Sequence, residues 1–261
     1  MTAEEILELA ENANTYTPLG PDEERVVDPG YVIALSAGSD PHFTVVQRLR
    51  LRPEDVGEAI DEIRALIAAR GRPACTWEVG DSATPSDLVE RLLAKGCVPD
   101  REPLAIGMVL TEPPADDAAT VTARRVESLA EYTDAVRIAH TAFESSATST
   151  AEALARAEID YAREGDQWAT YLAFLDGRPV ARATAQFTDH GVLLFGGATL
   201  PEARGRGAYR ALVRARWDDA VVHGTPVLVT HAGSMSRPTL RSLGFREVAR
   251  IHILLDLFGG L

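Results

Sequence analysis

Five arginines lie within the thirteen residues 204–216, a stretch that contains no acidic residue. Gly205 and Gly207 bracket Arg206 at its start, and an amphipathic helical pattern follows them directly. Backbone N–H groups at a helix N-terminus bind anions, and guanidinium groups bind phosphates through paired hydrogen bonds. Glycine lets the backbone approach a ligand closely because it has no side chain. The segment therefore predicts a site for a phosphorylated ligand.

The chain as a whole has the opposite charge. Its 261 residues carry a formal net charge of −13 at pH 7, which disfavours binding to nucleic acid or to an anionic membrane surface. Hydrophobic residues make up 46% of the chain and charged residues 25%, values typical of globular proteins. No apolar run is long enough to span a membrane, and the acidic N-terminal segment is unlike a secretory leader. We expect a cytoplasmic protein without a nucleic-acid or membrane partner.

Two cysteines, Cys75 and Cys97, lie on apolar segments and lack the spacing of metal ligands. We expect them to be reduced core residues, with a disulfide as the less favoured alternative. No metal site is expected.

Hydrophobic periodicity and turn residues indicate the elements that position the arginine segment. Alternating segments on either side of Asp176-Gly177-Arg178 predict a β-hairpin. The next strand contains Gly196-Gly197, a pair that suggests a bulge. Upstream helices are expected to begin at Ser128 or Thr133 and at Ser149 or Thr150. The remaining predicted elements are helices over 55–71 and 85–96, strands over 74–80 and 104–110, a helix ending at Gly224, a strand over 226–232, a short helix near 238–244 and a strand over 248–257.

The two halves of the chain resemble each other in order and type. Residues 69–80 align with 222–233, residues 92–110 align with 240–257, and residues 53–59 lie where 201–207 would fall. A polar, proline-bearing segment at 111–120 separates the halves, which predicts lobes over 1–115 and 121–261. Where the second copy has its arginines and glycines, the first has acids, which would repel a pyrophosphate. These acids are Glu54, Asp55, Glu58, Asp61 and Glu62.

The run Arg204-Gly205-Arg206-Gly207-Ala208-Tyr209 resembles the pyrophosphate loop of the GNAT superfamily of N-acetyltransferases, whose pattern is Arg/Gln-x-x-Gly-x-Gly/Ala. Tyr209 departs from it, because the family has a small residue there. The resemblance continues through the strand at 226–233 and through Leu243-Gly244-Phe245, and it covers residues 121–261. It implies an α/β (α+β) fold with a mixed, largely antiparallel central sheet and flanking helices. The chain would then hold tandem GNAT-like lobes, the first degenerate and the second functional.

The same resemblance implies that acetyl-CoA is the acyl donor. Backbone groups of the strand would bind the pantetheine arm, and the loop and the first helical turn would bind the pyrophosphate. An amide of this strand could also polarise the thioester carbonyl. The implied coenzyme A ligands are Gly197, Ala198, Thr199, Arg204, Gly205, Arg206, Gly207, Ala208, Tyr209 and Arg210.

The catalytic side chains of the family are less evident. The strand before the loop contains no carboxylate to act as general base, and Leu240 stands where many members have a tyrosine acid. His231 is the first candidate for the base, and Ser236 for donation to the thiolate or to coenzyme A. His231 could instead simply finish a strand, and Ser236 could cap the helix before Pro238. A covalent acyl-cysteine route is unsupported, because both cysteines lie in the first lobe.

We therefore expect an acetyl-CoA-dependent N-acetyltransferase that acts on a small-molecule or peptide amine by direct transfer in a ternary complex. The acceptor itself is not indicated, although Glu144, four residues after His140, is a candidate for holding its ammonium group. A coenzyme A-binding regulatory or interaction module without turnover is the alternative from a different class, and a general nucleotide binder is a third. A homodimer is left open.

Overall fold

The computed structural model describes residues 1–20, 22–36, 40–115 and 121–258. The described chain forms two compact units. Unit 1 comprises Met1–Met108, His231–Arg237 and Glu247–Leu261, and unit 2 comprises Val109–Thr230 and Pro238–Arg246. The division into lobes over 1–115 and 121–261 stays a prediction from the sequence. The two compact units are not the same as these lobes, because each unit combines segments from separate parts of the chain. Of the separating segment 111–120, residues 116–120 lie outside the described residues.

Unit 1 contains helices on a mixed sheet with the strand order β1-β2-β3-β4-β11-β5. Neighbouring strands from β1 to β3 are antiparallel, as are β4 and β11, whereas β3 and β4 are parallel. A parallel pair needs a crossover connection, and α2 supplies it. The elements are α1 (Ala3–Glu11), β1 (Glu24–Val27), β2 (Val32–Leu35), β3 (Thr44–Gln47), α2 (Val56–Ala68), β4 (Ala74–Gly80), α3 (Leu88–Ala94), β5 (Val98–Leu110) and β11 (Arg246–Leu257).

Unit 2 repeats this plan with the strand order β6-β7-β8-β9-β10. Strands β6 to β9 are antiparallel, and β9 and β10 are parallel, with α6 as their crossover. The last two residues of β10 and the first residue of α7 fall in unit 1, and the last two residues of β5 and the first residue of β11 fall in unit 2. The elements are β6 (Thr122–Arg125), α4 (Leu129–Ala142), α5 (Ala147–Tyr161), β7 (Trp168–Leu175), β8 (Arg178–Thr188), β9 (Gly191–Thr199), α6 (Ala208–Val222), β10 (Leu228–Ala232) and α7 (Arg237–Ser242).

These elements confirm the mixed, largely antiparallel sheet with flanking helices and the internal repeat. The order β3–α2–β4–α3–β5 in the first copy matches β9–α6–β10–α7–β11 in the second. No helix of the described chain has the length and apolar character needed to cross a membrane.

Unit 1 has its core between α2 and the sheet. Ile60, Ile63 and Ile67 recur at helical spacing and are fully buried in one cluster with Trp77 of β4. Cys75 and Cys97 belong to the same cluster, and both are free thiols, as expected from the sequence. Burying each isoleucine contributes about 1.5–3 kcal/mol, so α2 is held to the sheet mainly by this face.

The structure confirms one of two predicted helix caps and corrects two other local predictions. Helix α4 is capped by Ser128, which accepts a hydrogen bond from Glu131 N at 3.2 Å, and Thr133 lies inside the helix. Helix α5 begins at Ala147 with Ser146 as its cap, earlier than the predicted Ser149 or Thr150. Because α4 ends at Ala142, Glu144 lies beyond the helix and does not share a helical face with His140.

Candidate functional site

Strand β9 has a bulge at its two glycines. Arg182 of β8 lies opposite Ala198, and Thr184 lies opposite Phe195, so β9 advances three residues while β8 advances two. Gly196, inside the bulge, has a φ of +54°, in the left-handed region that favours glycine. The bulge predicted from Gly196-Gly197 is therefore confirmed, and these two are the exposed residues of the strand.

The described register between β9 and its parallel partner β10 covers the first residues of β9. The register with β10 comprises Leu228 opposite Val192 and Val229 opposite Leu193. One step further, the Thr230 hydroxyl donates to the Leu194 carbonyl at 3.2 Å. The predicted pantetheine-binding residues Gly197, Ala198 and Thr199 lie on β9 past this point, where the pairs with β8 continue on the other side.

The arginine-glycine loop follows β9 through a single 3₁₀ turn at Pro201–Ala203. Gly205 has a φ of +73° and Gly207 a φ of +88°, conformations that cost an L-residue about 1–2 kcal/mol. A Cβ added at either glycine would meet no protein atom within 4 Å. Both positions therefore require glycine for backbone conformation, since no neighbouring atom limits the space.

Helix α6 begins at Ala208 with Gly207 as its N-cap, and no side chain caps its first turn. The Ala211 N–H donates to Gly207 O at 3.0 Å. The N–H groups of Gly207, Ala208, Tyr209 and Arg210 precede it and have no acceptor four residues back inside the helix. Such a helix start is a favourable place for an anion.

Three of the predicted arginines surround this helix start. Arg204 Nε donates to Thr199 O at 3.4 Å, and an Arg206 nitrogen lies 4.0 Å from an Asp176 oxygen in an exposed pair. Arg210 Nη2 donates to Ser242 Oγ at 2.8 Å. These arginines lie on the loop and the first helical turn, where the sequence placed them.

The other two arginines lie elsewhere on α6. Arg214 forms an exposed pair with Asp218, one turn further along the helix, at 3.0 Å. Arg216 is 1% exposed, and its Nε donates to Leu212 O at 3.0 Å, so counting it among the phosphate-facing guanidinium groups was wrong. Val221, near the end of the same helix, is 52% exposed.

Tyr209 packs on the bulged strand. A Cβ built on Gly197 would lie 2.6 Å from Cε2 of the Tyr209 ring, so only glycine at 197 leaves room for this ring. The Tyr209 hydroxyl also interacts with the Arg216 guanidinium, whose pKa is lowered by burial. Tyr209, the large residue that departs from the family pattern, is therefore accommodated in unit 2 by packing against Gly197.

Sequence inspection missed Arg182 of β8. Its Nη1 donates to the carbonyl of Gly196 at 3.1 Å, and its Nε is buried without a hydrogen-bond partner. Burial lowers the pKa of Arg182, while Tyr132 and Glu164 raise it through their charges rather than through hydrogen bonds. The alternating pattern of β8 placed Arg182 in a strand, but its position against the glycine pair depends on the bulged register, which the sequence does not reveal.

The candidate base His231 belongs to unit 1. Its Nε2 lies 2.9 Å from Ala10 O, and a carbonyl only accepts, so Nε2 carries the hydrogen and Nδ1 is the basic nitrogen. Nδ1 lies 4.0 Å from Oε1 of Glu78 on β4. Burial raises the pKa of Glu78, and its Oε2 has no hydrogen-bond partner. Glu78 aligns with His231 in the internal repeat, so the alignment of 69–80 with 222–233 already pairs these two residues.

Ser236 directly precedes α7, and its hydroxyl donates to Gly233 O at 3.4 Å. Leu240, at the position of the family tyrosine, is 1% exposed and offers no proton donor. Burial raises the pKa of Cys97 to about 12 and raises that of Cys75 further, so neither thiol is activated as a nucleophile. In the described part of the chain, no group of three or more His, Cys, Asp or Glu residues is arranged to hold a metal ion.

The equivalent loop of the first copy is helical. In the alignment of 53–59 with 201–207, α2 begins at Val56, which corresponds to Arg204, whereas α6 begins four positions later at Ala208. Gly57, the counterpart of Gly205, therefore lies inside a helix. Regular helix over these positions cannot present the turn that Gly205 and Gly207 form in the second copy.

Comparison with known proteins gives no match to a family model and none to a curated protein. Solved structures do match. A GCN5-related N-acetyltransferase from Kribbella flavida superposes with a TM-score of 0.71 at 22% identity, over 97% of this chain and 95% of that one. The chain has the fold of GNAT acetyltransferases. A tandem GNAT protein from the clavulanic acid biosynthesis pathway matches with a TM-score of 0.61 at 18% identity, over 100% of this chain and 96% of that one.

A third GNAT structure, a GCN5-related N-acetyltransferase from Sphaerobacter thermophilus, matches with a TM-score of 0.63 at 19% identity, over 100% of this chain and 87% of that one. Because these matches run through both copies of the repeat, the tandem GNAT-like architecture expected from the sequence is confirmed. At these identities they establish the fold of the chain, and its chemistry must be argued from its own residues.

Proposed function

We propose that this protein transfers an acetyl group from acetyl-CoA to a small-molecule or peptide amine, by direct attack in a ternary complex. The observation that carries the proposal is the loop from Arg204 to Gly207. It has two left-handed glycines, it leads into a helix start without a side-chain cap, and it follows directly on a bulged strand. The solved GNAT structures that share this fold support acetyl-CoA as the acyl donor.

The residues of this loop fit coenzyme A. A Cβ built on either glycine would have no protein atom within 4 Å, so there is space beside the loop, and the amides of Gly207, Ala208 and Tyr209 would supply donors for a pyrophosphate. Arg204, Gly205, Arg206 and Arg210 would complete this cradle, and Gly197, Ala198 and Thr199 would receive the pantetheine arm. Bound acetyl-CoA supplies an activated thioester to this chain.

Proton removal is assigned to His231. An amine attacks a thioester only as the free base, so a proton acceptor is needed, and the basic Nδ1 of His231 provides one. Ser236 is proposed as a hydroxyl donor to the leaving thiolate or to coenzyme A. A covalent acyl-cysteine step finds no support in the raised pKa values of Cys75 and Cys97.

A second candidate function is a coenzyme A-binding regulatory or interaction module without turnover. It is favoured by Leu240, which is buried where a tyrosine acid would stand, and by the absence of a carboxylate from 192–200. We propose that the first lobe is degenerate and does not bind coenzyme A, because its equivalent loop is helical and acidic. Cytoplasmic location and the absence of nucleic-acid and membrane partners also stay proposals, and a homodimer stays open.

Two assays test the proposal in sequence. Calorimetric titration should show acetyl-CoA binding at one site per chain and a clear preference for coenzyme A over ATP. Release of free thiol from acetyl-CoA is then followed across a panel of amines. Release that depends on one class of amine supports the enzyme, whereas tight binding without amine-dependent release favours the regulatory module. Equal affinity for ATP would point to a general nucleotide binder.

A further inference from the structure

Arg182 is a half-buried cation that contacts the glycine bulge in the described part of unit 2. Its Nη1 donates to the carbonyl oxygen of Gly196 at 3.1 Å. A Cβ added to Gly196 would lie 2.4 Å from the same nitrogen, so the guanidinium is packed directly against the bulge. Arginine keeps its charge inside proteins, so the contact is a charge-assisted hydrogen bond, which is about twice as strong as a neutral one.

The carbonyl of Gly196 and the N–H of Gly197 belong to the same peptide group. A donor that withdraws electron density from the carbonyl oxygen makes the N–H of that group a stronger donor in turn, because hydrogen bonds in a chain polarise one another. Both glycines are exposed on β9, past the register pairs of Val192 and Leu193 with β10. The proposed function places the pantetheine arm, which ends in the thioester, along this stretch of β9.

We infer that Arg182 polarises the Gly196–Gly197 peptide group so that the Gly197 N–H stabilises the negative charge that develops on the acetyl oxygen during attack. The inference rests on the proposed function. In the step concerned, the amine nitrogen forms a bond to the carbonyl carbon and one electron pair of the C=O bond moves to oxygen. That pair returns as the C–S bond breaks, the sulfur leaves with its electrons, and the amine proton passes to the base.

In this role Arg182 is a positioning residue, since it acts through a backbone group. Its placement also accounts for one feature of the sequence and one of the structure that the coenzyme A loop does not explain. An arginine occurs in an otherwise small and apolar stretch of β8, and its Nε stays buried without a partner, a cost that a purely structural contact would not require. Arg182 also supplies a positive charge in unit 2, where Leu240 stands at the position of the family's tyrosine acid.

The test is the ¹³C resonance of the thioester carbonyl in bound [1-¹³C]acetyl-CoA. In the wild type, we expect this resonance to lie downfield of free acetyl-CoA, because the carbonyl is polarised. Arg182→Met removes both charge and donor, and about 10–30% of the displacement should be lost, the share expected from hydrogen-bond cooperativity. Arg124→Met is the matched control. It breaks the ion pair between Arg124 of β6 and Glu131 of α4 and should leave the resonance unchanged.

Affinity for coenzyme A without the acetyl group, measured on the same variants, reports whether the site is intact. If Arg182→Met does not fold, Arg182→Lys decides. Lysine keeps the charge but lacks the planar fork, so the resonance should fall between the wild-type and the free positions. An Arg182 variant that binds with the wild-type displacement overturns the inference alone. Failure of the wild type to bind acetyl-CoA overturns the proposed function and the inference together.

Discussion

Gly207→Glu places a carboxylate at the left-handed N-cap of α6. The variant has two separable effects. An L-residue at a φ of +88° costs about 1–2 kcal/mol, and no neighbouring atom lies within 4 Å of the new Cβ to add a clash. For a chain of this size we expect the unfolding midpoint to fall by about 2–8 °C. The fold should survive, because this is a small part of a typical unfolding free energy of about 5–15 kcal/mol.

The effect on binding should be much larger. Two like charges about 4 Å apart repel by about 4 kcal/mol at the effective dielectric of a protein surface, and about 1.4 kcal/mol is tenfold in Kd. Even if solvent halves this repulsion, affinity for acetyl-CoA should fall at least about 20-fold per phosphate charge. With two charges on a pyrophosphate, we expect binding to be lost at accessible concentrations.

Gly224→Glu is the matched control for Gly207→Glu. Gly224 follows the other end of α6, has a φ of +75° and would also accept a Cβ without contact within 4 Å. Both variants should show similar losses in thermal stability, and only Gly207→Glu should lose acetyl-CoA binding by calorimetry. Retained binding in Gly207→Glu would refute the assignment of this loop to the pyrophosphate. Lost binding in both variants would mean that backbone strain, and not charge at the loop, controls affinity.

Three further predictions concern unit 1. Glu58→Lys, on the exposed face of α2, should leave acetyl-CoA affinity unchanged by calorimetry, because the first copy is not expected to bind the donor. For Glu78, a pKa raised above its ordinary 4.5 means that the folded chain holds the proton more tightly than the unfolded chain. Its contribution to stability is complete below about pH 4.5 and is lost as pH rises, so Glu78→Gln should gain stability over the wild type towards pH 8 in denaturant titrations. Cys75 and Cys97 should resist alkylation by iodoacetamide at pH 8 until the chain is unfolded, because burial raises both pKa values.

A different result would contradict each of these three predictions. Loss of acetyl-CoA affinity in Glu58→Lys would mean that the donor site was assigned to the wrong copy. A stability difference between Glu78→Gln and wild type that is constant from pH 4 to pH 8 would show that Glu78 titrates normally. Rapid alkylation of the native chain at either cysteine would reopen a covalent route.

Local sequence signals were sufficient for the parts of the site that depend on backbone conformation. Gly205 and Gly207 were identified because glycine lets the backbone approach a ligand closely, and Gly196-Gly197 indicated a bulge because glycine is unusual inside a strand. The helix that ends before Gly224 and the hairpin at Asp176-Gly177 follow from equally local turn chemistry. Order along the chain then revealed the repeat.

Features that depend on tertiary packing could not be predicted in the same way. Arg216 has the sequence context of a phosphate-binding arginine, yet its side of α6 faces β8, where its Nη1 reaches Thr184 O. Arg182 gains its contact with Gly196 only through the register shift between β8 and β9. The membership of β11 in unit 1 depends on its pairing with β4, and strand pairing over more than 160 residues leaves no mark in local periodicity.

Hydrogen–deuterium exchange with and without acetyl-CoA tests most directly the claim that the chain has one coenzyme A site, formed by the loop of the second copy. Mass spectrometry would compare peptides covering 195–212 with those covering 48–60. We predict that acetyl-CoA slows exchange in 195–212, where the Gly207, Ala208 and Tyr209 amides lie, and leaves 48–60 unchanged. Protection confined to 48–60, or none in 195–212 at saturating acetyl-CoA, would contradict the account.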